Sequence, residues 1–320
     1  MNTIIIGGLA FALPLFIIAI GGIYSERSGI TNLALEGFLG FGAFFGAATV
    51  MVMTGGNIAS LEVPMFIVAL VFSMIGGAIF AMLHALLCIP FKANQVISGV
   101  VINILAAALT AFFTSQINTL IVGKPTNKFI LGVCGKFTVP SISEIPVLGA
   151  FFTDVYYFVP IIIVVALFMS YVLYKSRFGL RLRACGDNPH AVDAAGVNVS
   201  KTRFIAVMIS GALSGLGGIC FAYSISSSFS PSIYAGYGFL AIAALIFGNW
   251  KIGPTLGACL LFGFARAAAN ELTQTLGLPG AYKEIFMILP YVLTLLLLVF
   301  FSSTNRAPRA LGEIYDKGKR

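Results

Sequence analysis

Charge is what this sequence has least of. Of its 320 residues only 9% are Asp, Glu, Lys or Arg, against 59% hydrophobic, and the mean hydropathy is +1.00. A water-soluble domain needs roughly 25% charged residues to cover its surface, so the chain reads as a polytopic membrane protein. Histidine is scarcer still: His84 and His190 are the whole supply, too far apart in context for a shared metal site. The five cysteines (Cys88, Cys134, Cys185, Cys220 and Cys259) lie far apart without C-x-x-C spacing. Most fall in apolar runs, where a free thiol behaves as a small hydrophobe, so neither disulfides nor metal ligation is expected. There is no G-x-x-x-x-G-K-[ST] loop, no H-E-x-x-H and no G-x-S-x-G. The chain is therefore expected to bind no ATP through a P-loop, to carry no cofactor and to catalyse nothing by itself. Its net charge of +8 is no nucleic-acid signal, because clustered basic residues in a membrane protein report orientation.

What the sequence does have is runs of spanning length. A membrane helix needs about 20 apolar residues, and such runs lie near 3–24, 33–53, 64–89, 96–120, 156–174, 204–224, 253–270 and 283–301. A ninth, 238–250, is short and glycine-flanked, a tilted helix or a half-helix whose loose backbone needs protein or a water-filled cavity around it. About nine spans, with eight and ten as bounds, make an all-α membrane bundle. The opening run lacks a basic n-region and a small-residue cleavage site, so it reads as the first span rather than a secretory leader. Placing 175–203 in the cytoplasm and alternating outward puts Arg27, Lys92, Lys251 and the tail cations Arg306, Arg309, Lys317, Lys319 and Arg320 there too. That side then holds fourteen of the nineteen basic residues, which sets the N-terminus outside and the C-terminus inside. Residues 1–301 form one transmembrane domain and 302–320 a cytoplasmic tail.

Glycines recur in small-xxx-small register at Gly42/Gly46, Gly211/Gly215 and Gly253/Gly257, a spacing that lets helix backbones approach closely. Glu36-Gly37-Phe38-Leu39-Gly40 is echoed loosely by Tyr237-Gly238-Phe239-Leu240-Ala241 in a span running the opposite way, as an inverted repeat would give. Ionisable and polar residues inside spans are costly. Glu36 is the leading candidate for the translocation path, with a salt bridge to Arg27 as the plainer alternative. Asn94, Gln95 and Asn103 join it as path candidates, Asn103 being read first as a helix–helix hydrogen bond. Arg266, Asn270 and Glu271 read as a snorkelling or ion-paired cluster at the outer end of a span.

The one long polar, cationic stretch is 175–203, with Lys175, Arg177, Arg181, Arg183, Lys201 and Arg203. Within it Asp187 or Asn188 can cap a helix that opens on Pro189 and runs through His190, Ala191, Val192, Asp193, Ala194 and Ala195. Gly196 stops it. A two-turn, Ala-rich helix with little of its own chain to pack on suits a knob that docks in another protein's groove.

That helix carries a resemblance. The run from Cys185 through Asp187, Asn188, Pro189, His190, Ala191, Asp193, Ala194, Ala195 and Gly196 to Asn198 resembles the coupling-helix motif of ATP-binding-cassette (ABC) importer permeases, in the branch of ribose, branched-chain amino-acid and nucleoside permeases. Ser25-Glu26-Arg27-Ser28-Gly29-Ile30-Thr31-Asn32-Leu33-Ala34-Leu35-Glu36-Gly37, Asn94-Gln95-Val96-Ile97-Ser98-Gly99 and the run from Gly236 to Trp250 are similar to the nucleoside and simple-sugar subfamily. The resemblance implies a permease subunit in a bacterial inner membrane. Its implied partners are a second homologous permease, an ATPase with fused nucleotide-binding domains and an extracytoplasmic substrate-binding lipoprotein. The substrate implied is a nucleoside, with riboflavin, ribose or galactose and branched-chain amino acids as alternatives. Ribose-type permeases carry an extra N-terminal helix, so nine spans match the shorter member of a heterodimeric pair. The competing class is an ion-coupled secondary transporter, which needs carboxylates at the membrane midplane. Glu36, Glu271 and Glu284 are the carboxylates within or at the ends of spans, and none is expected to be central.

Overall fold

A computed structural model describes residues 2–56, 63–140, 149, 152–277, 288, 292 and 306–318. The helices are α1 (Asn2–Arg27), α2 (Leu35–Thr54), α3 (Val63–Cys88), α4 (Gln95–Val122), α5 (Phe158–Lys175), α6 (Arg177–Asp187), α7 (Pro189–Ala194), α8 (Val199–Ile225), α9 (Tyr237–Phe247) and α10 (Ile252–Thr275). Seven of them, α1 to α5, α8 and α10, are long and apolar enough to cross a membrane, which makes the protein a polytopic helical bundle. The expected half-helix is α9, 11 residues long, and the expected span at 283–301 lies outside the described residues. At one end of the bundle β1 (Phe129–Ile130) pairs antiparallel with β4 (Ser228–Phe229), and β2 (Lys136–Phe137) with β3 (Val155–Tyr156).

In lipid no hydrophobic effect draws helices together, so close approach depends on small residues. Gly42 of α2, Gly77 of α3 and Gly211 and Gly215 of α8 meet at one crossing. A Cβ built on Gly215 would lie 2.1 Å from the Ser73 carbonyl oxygen, and one on Gly77 would lie 2.2 Å from that of Gly211. Gly253 and Gly257 behave differently: among the described residues nothing lies within 4 Å of a Cβ at either.

The segment that positions the site is 28–34, between α1 and α2. It is not an exposed loop. Ser28, Ile30, Asn32 and Ala34 are buried, and irregular backbone at membrane depth needs partners from the surrounding protein. Side chains supply them. Gln95 Oε1 accepts from Thr31 N at 2.7 Å, Asn103 Nδ2 donates to Leu33 O at 2.8 Å, and Asn32 Nδ2 donates to Ser210 Oγ at 2.9 Å. His84 bridges Ser98 Oγ at 2.9 Å and the Thr31 carbonyl at 3.4 Å. Because 28–34 re-enters, α2 starts deep. Gly217 of α8 touches Pro14 and Ile18 of α1, and the adjacent Gly218 touches Leu39 of α2. The start of α2 is thus level with Gly22 of α1, where an added Cβ would meet Leu35, and Leu39 a turn further on is level with Pro14 and Ile18.

Candidate functional site

The polar stretch 175–203 folds at the end of the bundle where Arg27, Lys92 and Lys251 also lie. Ser176 Oγ accepts from Gly179 N at 3.0 Å and starts α6. This helix was hidden in the sequence by its basic residues. It buries Leu182, Cys185 and Gly186 while Arg177 and Arg181 face out. Burial raises the pKa of the Cys185 thiol above its ordinary value, against the lowering effect of Arg203. Of the two expected caps the structure uses Asn188, whose Oδ1 accepts from Ala191 N at 3.0 Å, while Asp187 ends α6. Pro189 opens α7, and Gly196, at φ +78°, turns the chain back.

Contrary to expectation, α7 does pack on its own chain. Pro189 and Val192 are buried, Val192 in a cluster with Cys185, Val199 and Tyr315. His190 lies 5.4 Å from the Tyr315 ring, and Asp193 lies 3.9 Å from Lys317 Nζ. The opposite face, with Ala191, Ala194 and Ala195, is exposed, and the exposed His190 lies at its edge beside Tyr315. The result is a short helix backed by the bundle and presenting small side chains outward.

A second feature lies deeper. A cavity of about 340 Å³ opens between α2, α4 and the segment leading into α9. Its polar lining is Glu36, Asn103, Thr110, Ser232 and Tyr234, among small residues such as Gly40 and Ala107. Asn103, Ala107 and Thr110 fall on one face of α4 at helical spacing. Glu36 Oε2 accepts from Gly236 N at 3.0 Å, at the start of α9. The salt bridge expected with Arg27 is not what holds Glu36: Arg27 Nε donates to the Trp250 carbonyl at 3.0 Å. Asn103 Oδ1 accepts from Gly37 N at 2.8 Å, so it is a helix–helix hydrogen bond and a cavity wall at once.

Glu36 and Asn103 are therefore brought together, while Asn94 and Gln95 sit about 12 Å toward the basic end of α4. There Asn94 caps the helix through Val96 N and Ile97 N. Thr110 was recoverable from its helical register with Asn103; Ser232 and Tyr234 carried no local signal. The echoing segments 36–40 and 237–241 face one another, and a Cβ on Gly238 would lie 2.4 Å from Glu36 Cα. Arg266 lies 4.3 Å over Phe11 and 4.8 Å over Tyr237, and bonds to the Tyr237 hydroxyl. Of the two readings offered for this cluster, snorkelling or an ion pair, the described residues show Arg266 engaged by aromatic rings rather than paired with Glu271.

Comparison with known proteins agrees with this architecture. Residues 4–298 match the family described as branched-chain amino acid transport system / permease component. The guanosine ABC transporter permease protein NupQ of Bacillus subtilis is 40% identical over 100% of this chain and 98% of its own length. The nucleoside ABC transporter permease protein NupC of Lactococcus lactis is 38% identical over the same shares. TsgC13 of Haloferax volcanii, to which a glucose ABC transporter permease role is ascribed, is 34% identical over 80% of this chain and 73% of its own. No solved structure matches the chain. A polytopic helical bundle matched almost end to end by this pattern belongs to the permease-component family of branched-chain amino acid transport systems.

Proposed function

We propose that the chain is the membrane-spanning subunit of an ABC importer that carries nucleosides across a bacterial inner membrane. The observation that carries this reading is the cavity between α2, α4 and the segment leading into α9, where the hydrogen-bonding groups of Asn103, Thr110, Ser232 and Tyr234 join Glu36, in a chain 40% identical end to end to a guanosine permease. Its volume falls within the range of about 300–1,000 Å³ common for small-molecule sites. Amide, hydroxyl and phenol groups suit a ribose and a base. A zwitterionic amino acid would require a cation beside Glu36, and among the described residues none lines the cavity. Import of a simple sugar is the second reading, favoured by the Haloferax relative.

Energy would come from outside the chain. The exposed face of α7, with Asp187 and Asn188 before it and Gly196 after it, docks on a separate ATPase with fused nucleotide-binding domains. The chain then needs no cofactor or catalysis of its own. A second permease completes the path against the exposed α4, and a substrate-binding lipoprotein delivers the solute. Nine spans place the N-terminus outside and the basic end in the cytoplasm. Ion coupling is disfavoured because the Glu36 carboxylate is engaged by backbone amides. The test is uptake in proteoliposomes holding the permease pair, the ATPase and the binding protein. ATP-dependent guanosine import, competed by other nucleosides and not by glucose, is expected. Import driven by a proton or sodium gradient without ATP would overturn the reading.

A further inference from the structure

Residues 306–318 follow the last apolar run and read as a free tail, yet they lie packed along the basic end of the bundle. Ala310 N donates to Gly186 O at 2.8 Å, at the end of α6, and Gly312 N to Gly29 O at 3.0 Å, just beyond α1. Tyr315 covers Cys185, Val192 and Val199. Asp316 lies 3.0 Å from Lys92, in the turn between α3 and α4. One short segment thus touches five others. Beneath it is Arg203, in the first turn of α8 and only 2% exposed. Its Nε donates to Ser28 O at 3.0 Å, Nη1 to Glu313 O at 3.0 Å and Nη2 to Cys185 O at 3.4 Å. The guanidinium therefore binds a carbonyl from the α1–α2 turn, one from α6 and one from the tail. Its rigid fork of five donors suits several acceptors at once.

Partly exposed ion pairs such as Lys92–Asp316 hold little by themselves, whereas buried bonds to a charged donor are strong. A helix of six residues, hinged at Asn188 and Gly196, would pivot if pushed unless something backed it. We propose that residues 306–318 form a fixed strap joining α7 to the α1–α2 and α3–α4 turns. Arg203 is the positioning residue on which the strap closes, so that force on α7 moves α1, α3 and α8 together. This rests on the docking role proposed for α7.

The test uses the assembled importer at equal membrane abundance, measuring uptake and ATP hydrolysed per solute imported. A chain ending at Asn305, and Arg203→Met, should lose uptake tenfold or more while the ATPase still binds and hydrolyses. Arg203→Lys should retain part of it. Uptake within twofold of the unmodified protein in the truncated chain overturns the strap. Ala194→Arg separates the two ideas: normal import there overturns docking itself, whereas loss there with a normal truncated chain overturns the strap alone. Should the truncated chain fail to reach the membrane, Lys92→Cys/Asp316→Cys in a background lacking the native cysteines decides. Locking that pair with a short reducible thiol cross-linker should leave uptake intact. Uptake lost on locking and restored by reductant would show that the strap must open, and would overturn the proposal.

Discussion

Asn103 bonds in both directions across the break before α2, accepting from Gly37 N and donating to Leu33 O. Replacing it strands two backbone groups at once. Asn103→Leu should therefore cost about 3 kcal/mol, at roughly 1–3 kcal/mol per unpaired buried group. It should lower the thermal midpoint in detergent, with Asn103→Asp, which keeps the acceptor, falling between. Cys185 offers a second check. Buried, with its pKa raised, it should react with maleimide at neutral pH far more slowly than an exposed thiol, and deleting 306–318 should speed labelling by an order of magnitude or more. That an amide stood out at position 103 was legible, because such a group is costly in an apolar run. Its partners were not, because Ser28-Gly29-Ile30-Thr31-Asn32 looks like any loop between spans. The partners of Arg203 were hidden for a related reason: at the edge of a span, sequence cannot tell a solvated cation from one wrapped by backbone carbonyls.

At the level of elements, α7 and the glycine crossing make opposite demands. The first must keep an outward face small. Ala194→Arg should abolish uptake with normal membrane insertion, since a groove shaped for Ala would have to bury an unpaired charge, which costs several kcal/mol; uptake at equal abundance checks this. The crossing must keep its interior empty. Gly215→Val would push Cβ onto the Ser73 carbonyl and force α3 and α8 apart, at a cost of about 3 kcal/mol and a marked loss of folded protein on size-exclusion chromatography. Gly257→Val, with nothing within 4 Å among the described residues, should be nearly neutral. Caps and stops made α7 readable, because Asn188, Pro189 and Gly196 act within a few residues of themselves. The glycine register indicated which faces could approach another helix, but not whether a partner lay opposite, so Gly42 and Gly211 packed as expected and Gly253 meets nothing among the described residues.

For the whole molecule, α1's end, the α3–α4 turn, α6 and α7, the α9–α10 turn and 306–318 all share one end, linked through Arg27 to Trp250, Lys92 to Asp316 and Asn249 Oδ1 to Arg306 N. Cysteines introduced at Lys136 and Arg309 should then respond oppositely in intact cells: an impermeant reagent should label the first and spare the second. Labelling at Arg309 would invert the topology. Hydropathy and charge bias made this outline legible, whereas the depth at which α2 begins depends on contacts remote in sequence. That depth has an electrical consequence. Both α2 and α9 start inside the bundle with their first turns facing each other, and each helix start carries about +0.5 elementary charge. An ionised Glu36 between them would bring the sum at the cavity close to zero. On the proposed path an uncharged solute would meet little net field there, while a nucleotide or a bare ion would surrender its hydration and find no counter-charge in exchange. If the cavity lies on the proposed path, the same break that seats α2 within the bundle would make it a filter against charge.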